Sequence, residues 1–179
     1  MNKIFLTFLI SLAIIGMLLI NGCQQTTGTG VLNLQVTDAK PELNISEATV
    51  TVSNIQVHKA LENSNDTNET SEDSWITVIN ETKTFDLVAI KGQKLSIGQE
   101  TLDIGKYTQV RLSVIEAKIT VNGTEYDMTV PSEKIKLIKG FTIEENQTVT
   151  LTLDFDLNES VHEANGSYIF NPVIKIIQE

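Results

Sequence analysis

The sequence predicts an all-β chain, a single antiparallel β-sandwich with Ig-like Greek-key connections, preceded by an N-terminal signal helix. Three observations carry this. Beyond residue 22 no segment keeps a helical period, while short runs of alternating apolar and polar residues recur between turn signals. The run Gly105 to Val121 (GKYTQVRLSVIEAKITV) is followed by Asn122-Gly123 and then TEYDMTV, and Asn-Gly between two β-branched runs is a hairpin signal because both residues tolerate positive φ. Within that run the apolar positions change parity, from Val110, Leu112 and Val114 to Ile115, Ala117, Ile119 and Val121. Strand side chains alternate faces with period two, so the switch demands a bulge or bend at Val114-Ile115.

The chain opens with Met1-Asn2-Lys3, an apolar run from Ile4 to Ile20, and then Asn21-Gly22-Cys23. This has the form of a lipoprotein signal over residues 1–22, with lipidation at Cys23; Asn21 departs from the small or aliphatic residue usual at that place. An uncleaved membrane anchor is the alternative, since the run approaches spanning length. Either way the remainder lies outside the membrane. Residues 23–29 (CQQTTGT) read as a flexible tether, and residues 30–179 as the sandwich domain. Cys23 is the only cysteine, so no intrachain disulfide supports the fold and the core holds by packing.

Val31 to Asp38 alternates cleanly, with Leu32, Leu34 and Val36 on one face, and is ended by Pro41. Glu47 to Lys59 forms the second strand, and its phase flips at Ser53-Asn54, between Val50/Val52 and Ile55/Val57. Two such flips have one explanation if both strands bend at the same corner of the sandwich. Residues 61–74 (LENSNDTNETSEDS) are an acidic loop with almost nothing to bury. Trp75 to Ile79 resumes as a strand, with Trp75 expected as a core anchor. Phe85 to Ile90 is equally readable as strand or helical turn. A glycine and then a tyrosine at a strand start, Gly105-Lys106-Tyr107, is the pattern of a tyrosine that covers a sandwich end and bonds the backbone. Thr148 to Leu157 alternates most regularly of all. Tyr168 to Ile177 closes the domain, and Pro172 inside it marks either an edge strand or an early break.

Charge excludes some functions. Without Lys3, 12 basic residues face 23 acidic ones, a balance that repels nucleic-acid phosphates and anionic lipid. Most catalytic signatures are missing, and only His58 and His162 could act as neutral-pH bases. No cofactor is expected, with calcium the one candidate. Its ligands would be Asp154, Asp156 and then Asn158, whose alternate oxygen side chains could converge on a hard cation. The D-x-D-x-N spacing begins like an EF-hand loop, but Glu159 replaces the turn glycine and Asn165 the bidentate glutamate. The competing reading is the solvent face of an amphipathic strand. The two aspartates, about 7 Å apart on one strand face, also permit an inverting glycosidase, though no aromatic sugar platform flanks them.

Eight N-x-[ST] sequons occur, at Asn44, Asn65, Asn68, Asn80, Asn122, Asn146, Asn158 and Asn165, where chance would give roughly two. They point to a glycosylated outer surface and, with the lipoprotein leader, to an archaeal cell envelope. A bacterial lipoprotein with accidental sequons is the alternative.

The runs VLNLQVTDA, NIQVHK, Trp75 with FDLVAI, GKYTQVRL, VPS, LTLDFD with its trailing ES, and NPVIKI together resemble the domain of unknown function 4382 family. The resemblance spans nearly all of the chain after the leader, in order. It implies a prealbumin-like β-sandwich in lipid-anchored or secreted prokaryotic proteins, and it brings no catalytic residues. The expected function is therefore a surface-anchored, non-catalytic binding or structural module. It would be held to the membrane by lipid on Cys23, with envelope glycans or surface proteins as partners. A calcium-stabilised carbohydrate-binding module is the alternative, and a hydrolase of envelope polymers stands third.

Overall fold

The computed structural model describes residues 28–38, 45–60 and 74–179. Two β-sheets pack face to face around one apolar layer, as the sequence predicts. The first sheet has the order β12-β9-β1-β5, with β1 (Thr29–Asp38), β5 (Leu95–Asp103), β9 (Thr148–Phe155) and β12 (Ile174–Gln178). The second is built on β2 (Ile45–Lys59) and β6 (Gly105–Val121), antiparallel to each other over their whole length. β3 (Trp75–Ile79) and β4 (Lys83–Asp86) divide the outer edge of β2; β8 (Lys134–Ile143) and β7 (Thr124–Thr129) divide that of β6. β10 (Val161–Ala164) and β11 (Ser167–Phe170) continue the sheet beyond β7. A one-turn helix, α1 (Leu157–Ser160), joins β9 to β10. None of the described helices is long and apolar enough to cross a membrane.

The two predicted phase flips are one feature. Val52 of β2 pairs with Val114 of β6, and the register shifts on both sides of this pair. Ser53 is the extra residue in β2 and Ile115 the extra residue in β6. Each bulge turns the following residues over, so Val50, Val52, Ile55 and Val57 all reach the core, as do Val110, Leu112, Val114, Ala117 and Ile119. Ile115, the residue left over, is half exposed. Leu32, Leu34 and Val36 of β1 and Leu151, Leu153 and Phe155 of β9 line the opposite wall. Phe155 meets Phe85 of β4 edge to face across the core, with centroids 5.7 Å apart. Burying side chains of this size contributes roughly 1.5–3 kcal/mol each before entropy is counted.

Turn chemistry matches the residues present. Asn122 (φ 51°) and Gly123 (φ 79°) form the left-handed pair of the β6–β7 hairpin. Tyr107 is buried, its hydroxyl donates to the Asp103 carbonyl at 2.9 Å, and its ring stacks on Phe141 at 5.0 Å. It is the predicted tyrosine corner, and burial pushes its hydroxyl pKa up to about 12. The ambiguous stretch after Phe85 is a strand end followed by a turn. The Asp86 carboxylate fixes it by accepting from the Ala48 and Val88 amides at 3.0 and 2.9 Å.

Two expectations change, and the choice at Pro172 falls on a break. The sandwich is not wholly antiparallel: β1 pairs parallel with β9 and β11 parallel with β7. The closing strand is two strands, β11 and β12, parted at Asn171 to Val173 and belonging to different sheets. Trp75 faces outward. It stands opposite His58, which shares its side of β2 with Gln56 rather than with the core residue Val57.

β1 approaches the β8–β9 turn very closely. A Cβ on Gly30 would lie 2.4 Å from the Glu144 carbonyl and 2.8 Å from that of Gln147, and both are backbone atoms. Gly140 differs, since a Cβ there would meet only the Tyr107 carbonyl at 3.8 Å. Gly30→Ala is therefore expected to destabilise the domain by about 1–3 kcal/mol, whereas Gly140→Ala leaves the melting temperature nearly unchanged. Thermal unfolding of the two variants side by side checks both.

Candidate functional site

The three predicted cation ligands are divided between β9 and the cap and turn of α1. Asp154 lies in β9 opposite Thr37 and Lys175. The strand ends at Phe155, and Asp156 becomes the N-cap of α1, with extended backbone (φ −106°, ψ 94°) and its Oδ1 accepting from the Glu159 amide at 3.1 Å. Its carbonyl accepts from the Ser160 amide at 2.9 Å and from the Ser160 hydroxyl. Asn158 falls inside the helical turn, where successive side chains rotate by about 100° instead of alternating. Among the described residues no three His, Cys, Asp or Glu side chains gather closely enough to hold a metal.

The carboxyl that sequence reading missed is Asp38, at the end of β1. It is 1% exposed. Its Oδ1 accepts from the Leu157 amide at 3.2 Å, and its Oδ2 is buried with no hydrogen-bond partner among the described residues. Its carbonyl accepts from the Gly92 amide. Burial raises its pKa from 3.8 to about 7. The Asp154 and Asp156 charges add to the rise, against the Leu157 hydrogen bond and the Lys91 charge. The signal was present in the parity: Asp38 continues Leu32, Leu34 and Val36 onto the inward face.

A second assembly lies on the outer face of the larger sheet. Register sets Trp75, His58, Gln109 and Ile138 in one row across β3, β2, β6 and β8, with Thr77, Gln56, Arg111 and Lys136 in the next. The Arg111 guanidinium lies 4.1 Å from the Trp75 ring centroid and its Nε donates to Gln56 Oε1 at 2.5 Å. Gln56 in turn donates to Thr77. Lys136 Nζ is 5.8 Å from the same ring, and the His58 ring contacts it edge-on. His58 is buried and bonds Thr108 through Nδ1 at 2.9 Å, so it is a packed residue beneath the patch. His162 is exposed on β10 and shares no element with it. Ile138, at the end of the first row, is 87% exposed.

The sequons that can be placed sit on turns or their margins. Asn122, Asn146 and Asn165 are exposed and all have left-handed φ, of 51°, 57° and 54°. Asn80 is exposed between β3 and β4, and Asn158 is half-buried in α1. Asn44, Asn65, Asn68, the acidic loop through residue 73 and Cys23 lie outside the described residues.

A family model described as "Domain of unknown function (DUF4382)" matches residues 29–172. No curated protein matches the chain. Among solved structures, one from Bacteroides eggerthii described as a "putative cell adhesion protein" is similar at 13% identity with a TM-score of 0.36. The match covers 84% of this chain and 54% of that one, so this chain spans about half its length.

The buried carboxyl gives a pH dependence with a defined sign. Between pH 3.8 and about 7 the folded state holds the Asp38 proton more tightly than the unfolded chain. Stability contributed by this group therefore falls as pH rises through that window and is level above it. Asp38→Asn keeps an acceptor for Leu157 and removes the charge. It is expected to melt higher than the parent at pH 8, by up to roughly 4 kcal/mol, and to converge with it at pH 4. Paired melting curves across this range read the difference, and a parent whose margin over the variant grows toward pH 8 reverses the assignment.

Proposed function

Because the chain belongs to the DUF4382 family, which is described by no activity, we propose that it is a lipid-anchored β-sandwich of the cell surface that acts by non-covalent binding. One observation carries the binding half of this reading: the outer face around Trp75 and Arg111 ends in Ile138, exposed to 87%, between lysines. Set in one row with the Trp75 ring and next to the Arg111 and Lys136 cations, this aliphatic group makes a mixed apolar and basic surface that suits contact with another molecule. Three of the groups suited to chemistry have structural duties. Asp156 caps a helix, His58 packs against Trp75 and Thr108, and Tyr107 closes the sandwich corner.

The address rests on the N-terminal sequence. A basic start, an apolar run and Cys23 at its end support lipidation of that thiol, with the sandwich held outside the membrane. Exposed sequon asparagines at Asn80, Asn122, Asn146 and Asn165 suit glycans carried on the turns. Surface proteins and envelope glycans are the partner classes. The alternative, a calcium-stabilised carbohydrate-binding module, would draw on Asp154 and Asp156. It predicts a calcium-dependent rise in melting temperature that Asp154→Ala abolishes.

Metabolic labelling with an alkyne-tagged fatty acid or isoprenoid lipid tests the anchor. Label is expected on the parent chain at the cell membrane, with Cys23→Ser losing label and passing to the soluble fraction. Membrane retention of an unlabelled Cys23→Ser chain would instead assign the apolar run as an uncleaved anchor.

A further inference from the structure

We propose that the free edge of β8 receives an extended acidic segment of a partner protein as an added strand. This rests on the binding role proposed above and names its partner class. β8 is ten residues long and pairs with β6 along one side; no described strand pairs with the other. An open strand edge offers alternate N–H and C=O groups to an incoming chain. Neither backbone strain nor crowding calls for the glycine at Gly140, which lines the cleft beside this edge. The edge opens onto a cleft of about 610 Å³ between the sheets, where Phe141 and Thr142 face Gln147, Val149 and Gln178.

Charge selects the partner. The chain carries a net −10, but β8 presents Lys134, Lys136 and Lys139 with no acidic counterpart within ion-pair distance among the described residues. Among the other described lysines, Lys59, Lys83 and Lys94 each hold a carboxylate and Lys118 is set among Glu116, Glu125 and Asp127. Lys91, Lys175 and Lys106, which lines the cleft beside β8, are in no ion pair among the described residues. Lysines on an edge oppose like charges if two β8 strands meet, which disfavours a second copy through this edge. An alternating acidic and apolar strand meets them the other way, with carboxylates beside Lys134 and Lys136 and an apolar residue beside Ile138. Residues directly opposite on adjacent strands stand about 4.5–5.5 Å apart, within reach of such pairs. Protein is favoured over polysaccharide because the Trp75 ring already carries the Arg111 guanidinium and the exposed group is aliphatic.

The test uses the full chain in neutral detergent micelles and a fluorescein-labelled peptide of alternating glutamate and valine, read by anisotropy. Saturable binding is expected, weakened by added salt. It should be about tenfold weaker for Lys134→Glu/Lys136→Glu and for the same peptide N-methylated at alternate amides. An unchanged melting temperature of the double variant shows that the loss is not unfolding. The proposal is overturned by absent binding, by binding indifferent to the charge reversal, or by equal binding of the N-methylated peptide. Polygalacturonate binding without peptide binding reassigns the face to an anionic glycan, and concentration-dependent self-association lost in the double variant reassigns it to a second copy. Envelope cross-linking separates the two levels. Partners kept by both parent and double variant overturn the β8 assignment alone, whereas no partner for either counts against the binding role itself.

Discussion

The pairing of Val52 with Val114, with an extra residue beside it on each strand, is the constraint on which the larger sheet depends. Fifteen- and seventeen-residue strands would carry half their apolar residues to the wrong side if they ran unbroken through a parity change. Two bulges at one level reverse both strands together, so their mutual ladder survives and both halves face the core. The bend also fixes the neighbours. Past Val52 toward the C-terminus, β2 takes β3, and before it β4; β6 is divided in the same way between β8 and β7. The basic edge, the Trp75 patch and the Asn122 hairpin all take their positions from that division.

What sequence could show was whatever period two records. The double flip, the tyrosine corner and the disturbance at Pro172 were visible because each is local. The parallel partner of β1 was not visible, because alternation says which face a residue takes and not which strand lies beside it. Trp75 was misread for a related reason. It shares odd parity with the buried Ile79, but Val78 is an extra residue opposite the Ile55–Gln56 step, and it turns Trp75 and Thr77 outward. The boundary after Phe155 was not legible because D-x-D-x-N reads as continued alternation, whereas Asp156 caps α1 and sets Asn158 inside its turn. Asp38 was legible by parity and was passed over as the polar end of a strand. A carboxyl on the apolar face of an otherwise regular alternation merits a search for its partner.

The asparagines show how one residue type serves two requirements. At Asn122, Asn146 and Asn165 the backbone needs a left-handed residue, which asparagine tolerates better than most. Thr124, Thr148 and Ser167, two positions on, each begin a strand. Turn and strand preference thus write N-x-[ST] into these three sites, whatever is attached to them. Part of the excess of sequons over chance is accordingly the signature of tight connections between strands. The same geometry presents each of these asparagines at the tip of its connection.

The placement of β1 has a mechanical consequence. It is an interior strand, paired over eight residues with β5 on one side and over eight with β9 on the other. A pull entering just ahead of Thr29, as from an anchor at Cys23, runs along the axis of this strand and across its hydrogen bonds. Both rows then bear the load together in shear, and neither can be peeled open one bond at a time. A load applied to the chain ahead of β1 thus meets a strand held along both of its edges.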